Sequence, residues 1–196
     1  MVYTGFIIPV YNTKPEILEK TINDLSAQTS LPIYVVDDGS SKVETIEYLK
    51  KLESCKQIQV IHHEKNKGKI EALATGVKEG NVTYPFFIDD DITIKINQKT
   101  HDEMWSLDDV IKKHINMLNQ YDGSSCVVYP VEARNKNENI LTKIQNLEHI
   151  VTTYYTRKFL HSSIYINGAG SLWKYTDFFH VYKLHSKEHT ADDLEL

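Results

Sequence analysis

Up to residue 95 the chain alternates short apolar runs with stretches of helical periodicity, and this alternation limits it to very few folds. The runs are Phe6-Ile7-Ile8-Pro9-Val10, Ile33-Tyr34-Val35-Val36, Ile58-Gln59-Val60-Ile61 and Tyr84-Pro85-Phe86-Phe87-Ile88. Between them, Ile17, Leu18, Ile22 and Leu25 follow Pro15 at helical spacing; Ile46, Leu49 and Leu52 repeat it, as do Ile70, Leu73, Ala74 and Val77. Pro15 suits a first helical turn, and Gly80 is expected at a C′ position. A β-α-β-α-β-α-β order predicts an α/β fold with a mostly parallel sheet flanked by helices. Right-handed crossovers then place the carboxyl ends of all these strands along one edge.

Two acidic clusters fall on that edge, Asp37-Asp38 and Asp89-Asp90-Asp91. Open α/β sheets bind ligands there. Alternate residues of an extended segment point the same way, so Asp89 and Asp91 can share one ligand in a D-x-D arrangement. Hard oxygen donors suit Mg²⁺ or Mn²⁺, above all when substrate phosphates complete the shell. A solvated acidic turn after a strand is the competing reading. Lys67-Gly68-Lys69 precedes the third helix, where a glycine lets backbone approach a phosphate, helix N-termini attract anions and lysine adds positive charge. Its competing reading is a solvated basic turn.

The second half is less regular. Ser106-Leu107-Asp108-Asp109 resembles a capping box before Val110, Ile111, His114, Ile115 and Leu118. Cys126-Val127-Val128-Tyr129 reads as a strand, Ile144, Leu147, Ile150, Val151 and Tyr154 as a helix, and Tyr165 to Gly170 as a strand running into a glycine turn. With no repeats and no low-complexity linker, residues 1–196 are expected to form a single domain.

A net charge of −5 argues against a nucleic-acid partner. The two cysteines lack metal spacing and are too few for a disulfide framework, so a reducing, cytoplasmic setting is expected. No apolar stretch is long enough to span a bilayer.

The ordered series Ile8-Pro9-Val10-Tyr11-Asn12, Val36-Asp37-Asp38-Gly39-Ser40, Asn66-Lys67-Gly68-Lys69 and Asp89-Asp90-Asp91 resembles the family 2 glycosyltransferases of the GT-A fold. Further on, Gln145-Asn146-Leu147-Glu148-His149, Asn167-Gly168-Ala169-Gly170 with Trp173-Lys174, and Ala191-Asp192-Asp193-Leu194-Glu195-Leu196 are similar to the Q-x-x-E-Y, S-G-A and T-E-D segments of the processive cellulose, hyaluronan and poly-N-acetylglucosamine synthases. The resemblance implies a sugar moved from a uridine diphosphate (UDP) sugar to the hydroxyl of a glycan acceptor, with Mn²⁺ or Mg²⁺. It implies a nucleotide-sugar-binding half, 1–95, and an acceptor and catalytic-base half, 96–196. By the resemblance, Pro9, Tyr11 and Asn12 line the nucleotide pocket, and Asp37 or Asp38, preferably Asp38, accepts from the uracil. A helix cap or Asx turn explains that pair equally well. Lys67, Gly68 and Lys69, Lys69 above all, face the diphosphate. Asp91 ligates the metal, Asp89 binds the metal or the ribose, and Asp90 stands at a variable position, with simple solvation as its competing reading. Gly168 and Ala169 leave room for an acceptor sugar on which Trp173 stacks, with burial in the core as the alternative for the indole. Asp193 is the expected general base, or Asp192 if the register slips by one.

The family's Q-x-x-R-W motif and membrane helices have no counterpart here. The expectation is therefore either the catalytic portion of something longer, with a membrane-associated remainder, or a short enzyme. A non-catalytic nucleotide-sugar-binding module is the alternative. Sugar-nucleotide pyrophosphorylases carry a G-x-G-[TS]-R loop after the first strand, where this chain has Tyr11-Asn12-Thr13-Lys14-Pro15. A flavodoxin-like fold leaves the second half unexplained.

Overall fold

The computed structural model describes residues 3–95, 105–130, 138–151 and 170–184. Its elements are β1 (Thr4–Val10), α1 (Pro15–Ser26), β2 (Ile33–Asp37), α2 (Val43–Leu52), β3 (Ile58–His62), α3 (Lys69–Glu79), β4 (Tyr84–Ile88), α4 (Leu107–Gln120), β5 (Cys126–Val128), α5 (Ile140–Ile150), β6 (Gly170–Trp173) and α6 (Tyr175–Leu184). The strands form one sheet in the order β3-β2-β1-β4-β6-β5. The pairs β1–β2, β1–β4 and β2–β3 are parallel, so β1 to β4 all end at one edge. β6 joins β4 antiparallel with Gly170 opposite Ile88, so β6 starts at that same edge.

The inner strands are apolar without a break because both sheet faces are covered. Phe6, Ile8, Val10, Ile33, Val35, Phe86 and Ile88 pack with α1, α2 and α4 on one face. Ile7, Val36, Phe87 and Trp173 pack with α3 and α6 on the other. Burying each such side chain contributes roughly 1.5–3 kcal/mol before ordering costs. Pro9 lies within β1, in register with Val36. The ladder to β4 ends at Ile7–Phe87, two residues earlier, so on that side the missing N–H of Pro9 costs no ladder bond.

Local signals account for the helix ends. Pro15 opens α1, and a Ser106–Asp109 capping box opens α4. Gly80 differs from its expected role. It is the αR C-cap of α3 with φ −77°, and Asn81 after it takes the left-handed conformation with φ 49°. The requirement at Gly80 is space, since a Cβ there would lie 2.7 Å from the Tyr34 ring. Gly170 also differs: it opens β6 rather than forming a turn. Residues 165–169 and Tyr154 lie outside the described residues.

α3 sits so close to the sheet that a Cβ on Gly76 would lie 2.5 Å from Ile7 Cγ2 and 2.9 Å from Val36 Cγ2. Both are β-branched methyls on central strands and have no room to yield. Gly76→Val is therefore expected to destabilise the fold by about 1–3 kcal/mol through overpacking. Urea unfolding checks this; an unchanged midpoint would show that α3 can shift freely.

Candidate functional site

Four strand exits meet at the common edge: Tyr11 to Thr13 after β1, Asp38 to Ser40 after β2, His63 to Gly68 after β3, and Asp89 to Asp91 after β4. Asn12 has φ 55°, a left-handed conformation that asparagine tolerates. Its N–H donates to Ser40 Oγ at 2.9 Å, and its Oδ1 accepts from the N–H groups of Ser41 at 2.8 Å and Lys42 at 2.9 Å. Asn12 thus braces the first loop on the second, while Tyr11 beside it is 51% exposed.

The two adjacent aspartates do different work. Asp37 Oδ1 accepts from Ser40 N–H at 2.9 Å, closing a turn, and its Oδ2 faces His62 Nδ1 at 3.0 Å. Asp38 is buried and reaches the third loop: Oδ1 accepts from Lys67 N–H and from His63 Nδ1, and Oδ2 from Gly68 N–H, each at 2.8 Å. The backbones of these two loops touch at Gly39, whose φ is 74° and whose added Cβ would lie 2.5 Å from the Lys65 carbonyl carbon. Gly68, with φ 95°, supplies the conformation that starts α3.

This arrangement gives the Lys67-Gly68-Lys69 segment partners within the chain. The Lys67 and Gly68 amides, which lie just before α3, are donated to Asp38, so these two N–H groups already have an acceptor within the chain. The charge nearest an outside anion there is that of Lys69, the first residue of α3. Lys69 Nζ lies 2.9 Å from Asp89 Oδ1, both side chains partly exposed. Asp90 is neither free nor merely solvated: it accepts from the Thr13 hydroxyl and so joins the fourth loop to the first. Burial pushes its carboxyl pKa up, the Thr13 bond opposes this, and the charges of Asp91 and Asp89 reinforce it. Asp91 is exposed at the end of the triplet.

The site residues of the first half therefore converge. Trp173 does not join them: it is 1% exposed, its indole N–H donates to Ser171 Oγ at 3.0 Å, and it packs with Phe178, so the core role replaces sugar stacking. Gly168, Ala169, Asp192 and Asp193 lie outside the described residues. No three His, Cys, Asp or Glu side chains converge as a metal cage among the described residues. A pair of carboxylates at a strand end still fits a hard divalent ion whose shell is completed by substrate phosphates.

His62 and His63 are the site residues that sequence reasoning missed. β2 and β3 run in parallel with Asp37 opposite His62, so an Asp-Asp exit lies beside a His-His exit. That register was the signal available. His63 is buried and also meets Thr75 Oγ1 at 2.9 Å, whereas His62 is exposed and meets Glu53 Oε1 at 3.1 Å.

The strand order and the acidic strand exits define the chain as a GT-A-type α/β domain. It belongs to the glycosyltransferases of family 2, the Glycosyl transferase family 2 model matching residues 6–172. The hyaluronan synthase of Streptococcus pyogenes is 27% identical over 150 residues, which are 73% of this chain and 33% of the synthase, so the chain spans about a third of that relative. Among solved structures, the Pyrobaculum calidifontis mannosyltransferase PcManGT, in complex with GDP-Man and Mn²⁺, superposes with a TM-score of 0.63 at 16% identity over 97% of this chain and 49% of that one. Staphylococcus aureus TarS 1-349 with UDP-GlcNAc gives 0.50 at 19% identity over 67% of this chain and 35% of that one. No helix among the described residues is long and apolar enough to cross a membrane.

The His62 pair carries a pH dependence. Burial pulls the imidazolium pKa down, but hydrogen bonds and charges from Asp37 and Glu53 outweigh it and leave the pKa above its usual 6.5. A raised folded-state pKa gives stability that is complete below pH about 6.5 and is lost as pH rises through the folded value. The side chain is 42% exposed, and solvent screening holds the effect to at most about 1 kcal/mol. His62→Gln is expected to lower Tm at pH 6 and to leave it nearly unchanged at pH 9. Equal losses at both pH values would contradict the pairing.

Proposed function

We propose that the chain is the catalytic domain of an inverting, metal-dependent glycosyltransferase that moves a sugar from a UDP-sugar to an acceptor hydroxyl on a glycan. The observation that carries this reading is the meeting of four strand exits at one edge, with Lys69 facing Asp89, the first carboxylate of the D-x-D series, there. Family membership and the hyaluronan synthase relative support it. So do the nucleotide sugars named with the mannosyltransferase and TarS structures, on the level of fold.

In this reading Tyr11 offers its exposed ring to the base, on a floor of Pro9, Asn12, Asp37 and Asp38. Asp38 acts mainly by pinning the Lys67–Gly68 loop. Lys69 exchanges Asp89 for the donor diphosphate. Asp91 and Asp89 would hold Mn²⁺ or Mg²⁺, which when bound would supply positive charge to the diphosphate side of the pocket. Asp193, or Asp192, takes the acceptor proton as that oxygen attacks C1 from the side opposite the diphosphate. The C1–O bond to the diphosphate breaks, UDP leaves, and the anomeric centre inverts. Gly168 and Ala169 belong to the acceptor side.

Release of UDP from candidate UDP-sugars, with Mn²⁺ or with chelator, tests the reading. Metal-dependent release supports it; release unaffected by chelator contradicts it. Asp91→Ala is expected to lower Mn²⁺-dependent release about 100-fold or more, the scale for losing electrostatic stabilisation of a departing group. Asp38→Ala is expected to weaken UDP binding by about 1–3 kcal/mol, because the loop amides lose their acceptor. Donor binding without any UDP release, and without effect of Asp193→Asn, would instead make this a binding module.

A further inference from the structure

We propose that His63 is a positioning residue for the donor pocket: by fixing the Asp38 carboxylate it sets the loop from which Lys69 reaches the diphosphate. The proposal rests on the nucleotide-sugar reading above.

His63 touches no solvent-facing part of the site. Its side chain is buried, as is that of Asp38. Both ring nitrogens are engaged, Nδ1 with Asp38 Oδ1 at 2.8 Å and Nε2 with Thr75 Oγ1 at 2.9 Å. An ionised carboxylate only accepts, so Nδ1 carries the proton of the Asp38 bond. Thr75 lies on α3, whose first residue is Lys69. A closed circuit results: Asp38 holds the Lys67 and Gly68 amides, those residues lead into α3, and α3 returns through Thr75 to His63. His63 N–H also donates to the Asp37 carbonyl at 2.8 Å, fixing the ring's own backbone to β2.

Without the Nδ1 donor, Asp38 keeps its amide partners but loses the side chain that shares Oδ1 with the Lys67 amide. A buried polar bond to a charged group is then missing, and the loop that leads into Lys69 gains freedom. Burial alone requires both ring nitrogens to find partners. What marks His63 is which partners it has: Asp38, which holds the loop amides, and Thr75 on α3.

Two substitutions separate the roles. The asparagine amide nitrogen stands near the position of Nδ1, so His63→Asn preserves the Asp38 bond. The glutamine amide reaches toward the position of Nε2, so His63→Gln preserves the Thr75 bond and loses the other. Both remove the ring, so packing losses are similar. Two readouts are taken on each variant and on the wild type: amide hydrogen exchange at Lys67 and Gly68, and the Kd for UDP with Mn²⁺. In His63→Gln, exchange at those amides is expected to accelerate and Kd to rise about tenfold, the scale of one hydrogen bond to a charged group. His63→Asn is expected to stay near the wild type in both. Unchanged exchange and affinity in His63→Gln, or equal losses in the two variants, would overturn the proposal. Faster exchange in His63→Gln alone, with no UDP binding even by the wild type, would uphold the loop positioning and overturn the nucleotide reading instead.

Discussion

The working edge depends on one buried carboxylate. Asp38 leaves β2 and accepts from two backbone amides and an imidazole that all lie after β3. Charged acceptors make stronger hydrogen bonds than neutral ones, and burial strengthens them further. Without this acceptor, the Lys67 amide and His63 Nδ1 would lose their partner, and the Gly68 amide would keep only its bond to Asn66 Oδ1. The close contact at Gly39 follows from the same clamp, because the two loops can lie backbone to backbone only if nothing separates them. Asn12 and Asp90 repeat the device at the other exits, one joining loops one and two, the other joining loops four and one.

Ligand chemistry is built on top of this bracing. The acidic and basic side chains of the edge are partly matched to one another before any ligand arrives, as in the Lys69–Asp89 pair. In the proposed function a donor and its metal replace that internal pairing with matched external charges. Such an exchange costs less than exposing unpaired charges, and it favours binding metal and diphosphate together over either alone.

Much of this is legible in the sequence. The β/α alternation and the breaks at Asp38, Gly68 and Asp89 define the parallel part of the sheet and its functional edge, because both follow from periodicity and local turn chemistry. The antiparallel addition of β6 is not legible, since Gly-Ser-Leu-Trp is too short to show a period. Trp173 offers two roles that only burial can separate. His62 and His63 give no local signal because their partners are twenty-five positions away, and only the β2–β3 register brings them opposite. Asp38 stands where the sequence places it, at the working edge, but the contacts of its buried oxygens with the loop amides are set by the fold and have no local signal.

A thermal-shift panel of UDP-sugars with Mn²⁺, Mg²⁺ or chelator tests the central claim most directly, since a ligand that binds only the folded state raises Tm according to its affinity. The braced edge as a donor pocket predicts a rise with a UDP-sugar that needs the divalent ion. No rise with any donor under any ion condition would contradict it.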